Sequence, residues 1–176
     1  MQRSLPARRL SPLVVLLFGA ALLLAQGASA LAADPAYQLT VSGNAVTPTV
    51  LTAEQLKAFP RQTLTVKNPH NGNTETYEGV WLLDVLKRVG APVGDKLRGK
   101  TMPTVVIAEA GDGYRVAFAL AELDPGTGDT QVLLADRMNG AALDKDSGPL
   151  RLVVPKDKRP ARWIRQLSGL RVSISE

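Results

Sequence analysis

The sequence predicts an α+β fold, a mixed β-sheet with a few short helices. Three observations lead there. Short alternating or β-branched runs recur along the chain from Gln38 onward. Helical periodicity is confined to two or three brief stretches, each bounded by capping or breaking residues. Clusters of Gly, Pro, Asn and Asp separate these segments at close intervals.

In chain order, Gln38-Leu39-Thr40-Val41 alternates as a strand does, and Gly43-Asn44 ends it. Leu51 to Leu56 reads as a helix start. Thr52 caps, Gln55 completes a capping box, and Leu51 staples onto Leu56. Phe59-Pro60 stops that helix. Strands at Thr63–Val66 and Thr74–Glu78 flank the polar turn Asn68 to Asn73, where Asn71-Gly72 is a hairpin signal. Leu82, Val85, Leu86 and Val89 then fall on one helical face, with Asp84 and Arg88 expected to pair on the wet side. Gly90 closes this helix and Pro92 prevents its continuation. Thr104–Ile107 and Tyr114–Phe118 read as strands around the turn Ala110-Gly111-Asp112-Gly113, and Ala119–Leu123 as one helical turn. Asp124 to Asp129 is a Gly/Pro loop, Gln131–Ala135 a strand, and Arg137 to Pro149 an irregular crossing. Leu150–Val154 and Leu170–Ile174 are the closing strands.

Residues 1–30 read as a secretory signal peptide. Arg3, Arg8 and Arg9 form its basic start, and Leu13 to Ala25 its apolar run. Ala28-Ser29-Ala30 is an A-x-A cleavage site, with Leu31-Ala32-Ala33 as a second cut. The apolar run is shorter than the roughly 20 residues of a membrane span. No Cys follows it, which excludes a lipoprotein anchor. Arg8-Arg9 raises a twin-arginine route, but Leu10-Ser11-Pro12 suits it poorly and Sec export fits better. The expected mature protein is a single domain, 31–176, periplasmic or secreted, with no membrane span after cleavage. Removing three Arg leaves 18 basic against 16 acidic residues, so nucleic acid is not an expected partner. The absence of Cys rules out disulfides and thiolate chemistry alike.

Gly94-Asp95-Lys96-Leu97-Arg98-Gly99-Lys100-Thr101 matches the P-loop pattern. The mechanism needs a strand before the loop and a helix after it, whereas a helix precedes this segment and a strand follows. A solvated connector with no ATP bound is therefore expected. Zinc needs several ligands at fixed spacing, and His70 is the sole His. A Ser-His-Asp triad would also depend on His70, and no nucleophile elbow exists. His70 is either a solvated loop residue or part of a ligand pocket. Asp144-Lys145-Asp146-Ser147-Gly148 lacks the bidentate Glu of a calcium loop and reads as a polar turn. Lys156, Lys158, Arg159, Arg162 and Arg165 crowd a segment broken by Pro155 and Pro160. They can converge on an anion, or form a solvated edge anchored by Trp163.

Tyr77-Glu78-Gly79-Val80-Trp81-Leu82-Leu83-Asp84-Val85-Leu86, Gly113-Tyr114-Arg115-Val116, Leu133-Leu134-Ala135, Asn139-Gly140, Gly148-Pro149-Leu150-Arg151-Leu152-Val153-Val154-Pro155 and Arg162-Trp163-Ile164 share an order and spacing. Together they resemble the molybdopterin-binding domain of the sulfite oxidase family, in its small exported form. The resemblance implies that fold and a molybdenum–pterin cofactor held by one Cys thiolate near Asn68 to Asn73. This chain has Asn68, His70 and Asn71 there. Arg162 stands where the family carries Lys. By the same positional reading, Arg162, Arg115 and Asn139 would surround the cleft, with Tyr114 and His70 at its mouth. The expected function is a cofactor-free, non-redox binding module for a small anion or an exported or membrane protein partner. The alternative is a molybdopterin-dependent oxidoreductase without a protein ligand to the metal, or with His70 as that ligand.

Overall fold

The computed structural model describes residues 36–175, so the signal peptide and its cleavage site lie outside the described residues. Two sheets and three short helices share one hydrophobic core. The first sheet contains β1 (Gln38–Ser42), β2 (Thr49–Thr52), β5 (Thr104–Ala110), β6 (Arg115–Ala119) and β10 (Leu167–Ile174), in the order β2-β1-β10-β5-β6. Its β1–β10 pair is parallel and its other pairs antiparallel, so the sheet is mixed, as expected. The second contains β3 (Gln62–Lys67), β4 (Thr74–Trp81), β7 (Leu133–Met138), β8 (Ala141–Ala142) and β9 (Arg151–Val153). It runs β3-β4-β7-β8, with β9 also paired to β7.

Local chemistry explains most boundaries. α1 (Ala53–Lys57) starts at a capping box: the Thr52 hydroxyl accepts the Gln55 N–H, and the Gln55 side chain accepts the Thr52 N–H at 2.9 Å. α2 (Leu82–Arg88) buries Leu82, Val85 and Leu86 on its predicted face. Its expected Asp84–Arg88 ion pair is not formed among the described residues. α3 (Leu120–Leu123) is the single helical turn expected after β6.

The region expected to cross irregularly is more regular than its sequence suggests. β7 continues through Met138 and returns as β8 by a two-residue turn, Asn139-Gly140, with φ of 51° and 80°. Both central residues of such a turn need positive φ, which Asn and Gly tolerate best. β4 also runs three residues further than expected, to Trp81, and β10 begins three residues earlier, at Leu167.

Gly94–Lys96 and Gly99–Thr101 form two 3-10 turns, and β5 follows them. Lys100 is exposed. Among the described residues a strand, not a helix, follows this segment, so its P-loop spelling lacks the required geometry. Asp144 closes the calcium-like stretch as a local turn, accepting N–H bonds from Ser147 at 2.7 Å and Asp146 at 3.1 Å.

Candidate functional site

β4 positions the inner wall of the site. Alternation puts Glu75 and Tyr77 on its buried face. Glu75 is 8% exposed and Tyr77 fully buried. The Tyr77 hydroxyl donates to Glu75 Oε2 at 2.6 Å. Across the β3–β4 turn, Asn68 Nδ2 donates to both carboxylate oxygens at 3.1 and 2.9 Å, and Asn71 Nδ2 to Oε1 at 3.0 Å. Burial alone would raise the Glu75 pKa. The three side-chain donors and the charge of Arg151 outweigh it and hold the carboxyl below its ordinary 4.5. Tyr77 is pushed well above its ordinary value, first by burial and then by its bond to Glu75, so it stays protonated and donating.

Arg151 faces this network from β9. It sits in a continuous apolar run, where Leu150, Leu152, Val153 and Val154 are all buried, and is itself only 7% exposed. Its guanidinium lies 5.1 Å from the Tyr77 ring centroid and 6.0 Å from that of Trp163. Those two rings meet edge to face. Trp163 is fixed by Nε1 donating to the Val154 carbonyl at 2.8 Å. Among the described residues Arg151 forms no ion pair, and its buried Nε has no hydrogen-bond partner. Burial disfavours its charge, but an Arg stays protonated regardless. An uncompensated guanidinium held against two rings is costly unless something supplies acceptors.

A cavity of about 400 Å³ opens beside it, lined by Asn68, His70, Glu75, Asp144, Arg151 and Arg165 among others. The two carboxylates on this wall are already hydrogen-bonded. Glu75 is held as above, and Asp144 is kept below its ordinary value chiefly by the Ser147 N–H. A second cavity, about 510 Å³, shares the lining residues Pro160, Trp163 and Arg165 with the first and is also lined by Tyr114.

The site residues expected from sequence divide accordingly. His70 lines the first cavity and Tyr114 the second. Arg162, Arg115 and Asn139 do not form the shared pocket expected of them. Arg162 donates through Nε and Nη2 to Asp157 at 2.9 and 2.7 Å and through Nη1 to Glu122 at 3.0 Å, while stacking 4.6 Å over Phe118. Its donors are spent on a clamp between the 160–162 turn and α3. Arg115 projects from the opposite face of β6 from Phe118 and pairs with Glu109 at 3.7 Å. Asn139 belongs to the other sheet, where its side chain accepts the Thr76 N–H at 2.9 Å. Sequence reading passed over Arg151, Glu75 and Tyr77 as site residues. The available signal was a lone Arg inside the apolar run from Leu150 to Val154, and an acid alternating with Tyr on a strand.

The sequence matches the family described as oxidoreductase molybdopterin binding domain over residues 27–176. The chain belongs to that family. Among solved structures, the sulfane dehydrogenase SoxCD from Paracoccus pantotrophus is similar, with a TM-score of 0.62 and 24% identity. The likeness covers 79% of this chain and 38% of that one, and at such identity it bears on the fold alone. No curated protein matches the sequence.

The residues present do not fit a cysteine-ligated molybdenum centre of this family. The chain has no Cys. In the 68–73 turn, where the thiolate would be expected, Asn68 and Asn71 direct their amides onto Glu75. Among the described residues no three His, Cys, Asp or Glu side chains converge as metal ligands. A soft thiolate is what such a metal site takes from the protein, and neither amide replaces it.

The Glu75 network predicts a pH dependence. A carboxyl with a depressed folded-state pKa contributes stability above its unfolded value, near 4.5, and loses it as pH falls through the folded value. Melting temperature should therefore drop on acidification below about pH 4.5. Glu75→Gln should start lower, because its amide meets the Asn donors, and should show a shallower acid slope. Parallel slopes in thermal scans of the two proteins would show that Glu75 contributes nothing.

Proposed function

We propose that this is an exported, non-redox binding module that holds a small anion at Arg151. Residues 1–30 are read as the cleaved leader and 31–176 as the working domain. The observation that carries the reading is the largely buried Arg151 on the wall of a 400 Å³ cavity, its guanidinium without a hydrogen bond or ion pair among the described residues. On that wall Glu75 has both oxygens hydrogen-bonded and Asp144 accepts two backbone N–H bonds through Oδ1, while Arg165 adds a second guanidinium free of ion pairs among the described residues. Arg suits oxyanions and carboxylates because its planar fork donates two parallel bonds. Neither ATP nor nucleic acid is proposed as a ligand.

Calorimetric titration with sulfate and with phosphate tests the proposal. Saturable binding of one anion per chain is expected, and no heat beyond dilution would sink it. Family membership favours a second reading, a molybdopterin-dependent oxidoreductase with His70, on the cavity wall, as the metal ligand. Elemental analysis of protein purified from its exporting host separates the two. The binding module predicts no stoichiometric molybdenum, whereas about one atom per chain would favour the enzyme.

A further inference from the structure

We infer that the cavity at Arg151 takes an organic sulfonate, a singly charged head group whose three terminal oxygens are shared between Arg151 and Arg165. The inference rests on the reading of Arg151 as an anion site and names the class of ligand it holds. The cavity, about 400 Å³, falls within the roughly 300–1,000 Å³ typical of sites for organic ligands. A free inorganic oxyanion would fill little of it, and Met138 and Pro160 on its lining offer apolar surface to an organic body.

Of the Arg151 side-chain nitrogens, only Nε is both sealed from solvent and without a partner. Nη1 and Nη2 also lack a hydrogen bond or ion pair among the described residues, yet they stay accessible. The open end of the fork is therefore what meets the cavity, and its two parallel bonds take two oxygens. Arg165 lines the same cavity, is exposed, and has no hydrogen bond or ion pair among the described residues. Burial is the main influence against the Arg151 charge, and Arg165 acts in the same direction. The two guanidiniums thus lie close enough to repel, with no acceptor bonded to either. A third oxygen on the same head group serves the second guanidinium. A carboxylate has only two, and the Arg151 fork takes both. Glu75 and Asp144 act on Arg151 in the opposite sense through space. His70 aside, the lining carries two positive and two negative side chains. What the guanidiniums lack is acceptor atoms rather than net negative charge. A sulfonate supplies three acceptors with one charge, whereas a phosphate monoester brings a second charge against Asp144 and Glu75.

Titrating the purified protein with butanesulfonate and with pentanoate compares the two head groups on the same butyl chain. Arg165→Gln should weaken butanesulfonate about three- to fivefold, as a partly solvated ion pair allows, and pentanoate less than about twofold. Arg165 is exposed, so this variant should fold as the natural sequence does. Butanesulfonate should bind at least about threefold more tightly than methanesulfonate, because its extra methylenes leave water. It should also bind more tightly than butyl phosphate at about pH 8, where that ester is doubly charged. An equal loss, or none, for both head groups in Arg165→Gln overturns the sulfonate and leaves the anion site standing. So does equal affinity of the two sulfonates, or tighter binding of butyl phosphate. If none of these anions nor sulfate binds, the anion site falls and this inference with it.

Discussion

Arg151→Met is expected to raise the melting temperature of the ligand-free protein and to abolish its response to sulfate. The guanidinium is 7% exposed and its Nε lacks a partner. Folding therefore strips much of its hydration without replacing it. The rings of Tyr77 and Trp163 offset part of that cost, as do the charges of Glu75 and Asp144 acting through space. Met is unbranched and of comparable length, so it can fill the space with apolar atoms. Exchanges of buried ionic groups for well-packed apolar residues are often stabilising, here by about 1–2 kcal/mol, or roughly 3–6 °C in a domain of this size. Sulfate, by contrast, should raise the melting temperature of the natural sequence by mass action and do nothing to the variant. Scans at constant ionic strength, with chloride as the reference salt, isolate the specific effect from screening. A merely structural Arg151 predicts the opposite pair of results: a lower melting temperature for Arg151→Met, and the same response to sulfate in both proteins. Arg151→Lys keeps the charge but not the fork, so a partial response would show that geometry matters as well as charge.

The parts of this molecule readable from sequence are those set by neighbours a few residues apart. The capping box of Thr52 and Gln55 and the apolar face of α2 formed as local rules require, and β3 and β4 are joined across the Asn68 to Asn73 turn, though Gly72 alone takes positive φ there. The β7–β8 hairpin was missed although Asn139-Gly140 is a favoured turn pair, because the two-residue β8 is too short to alternate visibly. The site was harder to find because its chemistry depends on pairing between distant strands. Glu75 and Arg151 come together only when β4 and β9 pair with opposite edges of β7. Composition drew attention instead to the basic segment from Lys156 to Arg165. Within it, Arg162 found two carboxylates of its own and became a clamp, whereas Arg165 reached the cavities. Charge density in sequence could not separate a neutralised Arg from a free one: Asp157 lies near both Arg162 and Arg165 in the chain but bonds only Arg162, and the second partner, Glu122, lies 40 residues away.

Gly79→Ala should be the more destabilising of two glycine substitutions that look equivalent in sequence. Gly79 sits where the β4–β7 register shifts, between the pairs Glu78–Arg137 and Gly79–Ala135. The extra residue on β7, Asp136, turns aside to receive a bidentate contact from Arg61 at 2.7 and 2.5 Å. At this crossing a Cβ on residue 79 would lie 2.1 Å from the Leu134 carbonyl oxygen and 2.7 Å from the Ala135 Cα. Both are backbone atoms of a central strand and cannot rotate away, so β4 and β7 would have to separate. That separation would disturb the strand carrying Glu75 and Tyr77 as well as the partner of β9. Overpacking of this kind costs about 3 kcal/mol or more, lowering the melting temperature by roughly 10 °C. Gly72 provides the contrast. A Cβ there meets nothing within 4 Å, and the cost comes only from its φ of +76°, about 1–2 kcal/mol for a non-glycine residue. Calorimetric scans of Gly79→Ala and Gly72→Ala should rank the two in that order. If Gly79→Ala melts no lower than Gly72→Ala, the close approach of β4 to β7 at Gly79 does not limit the stability of this sheet.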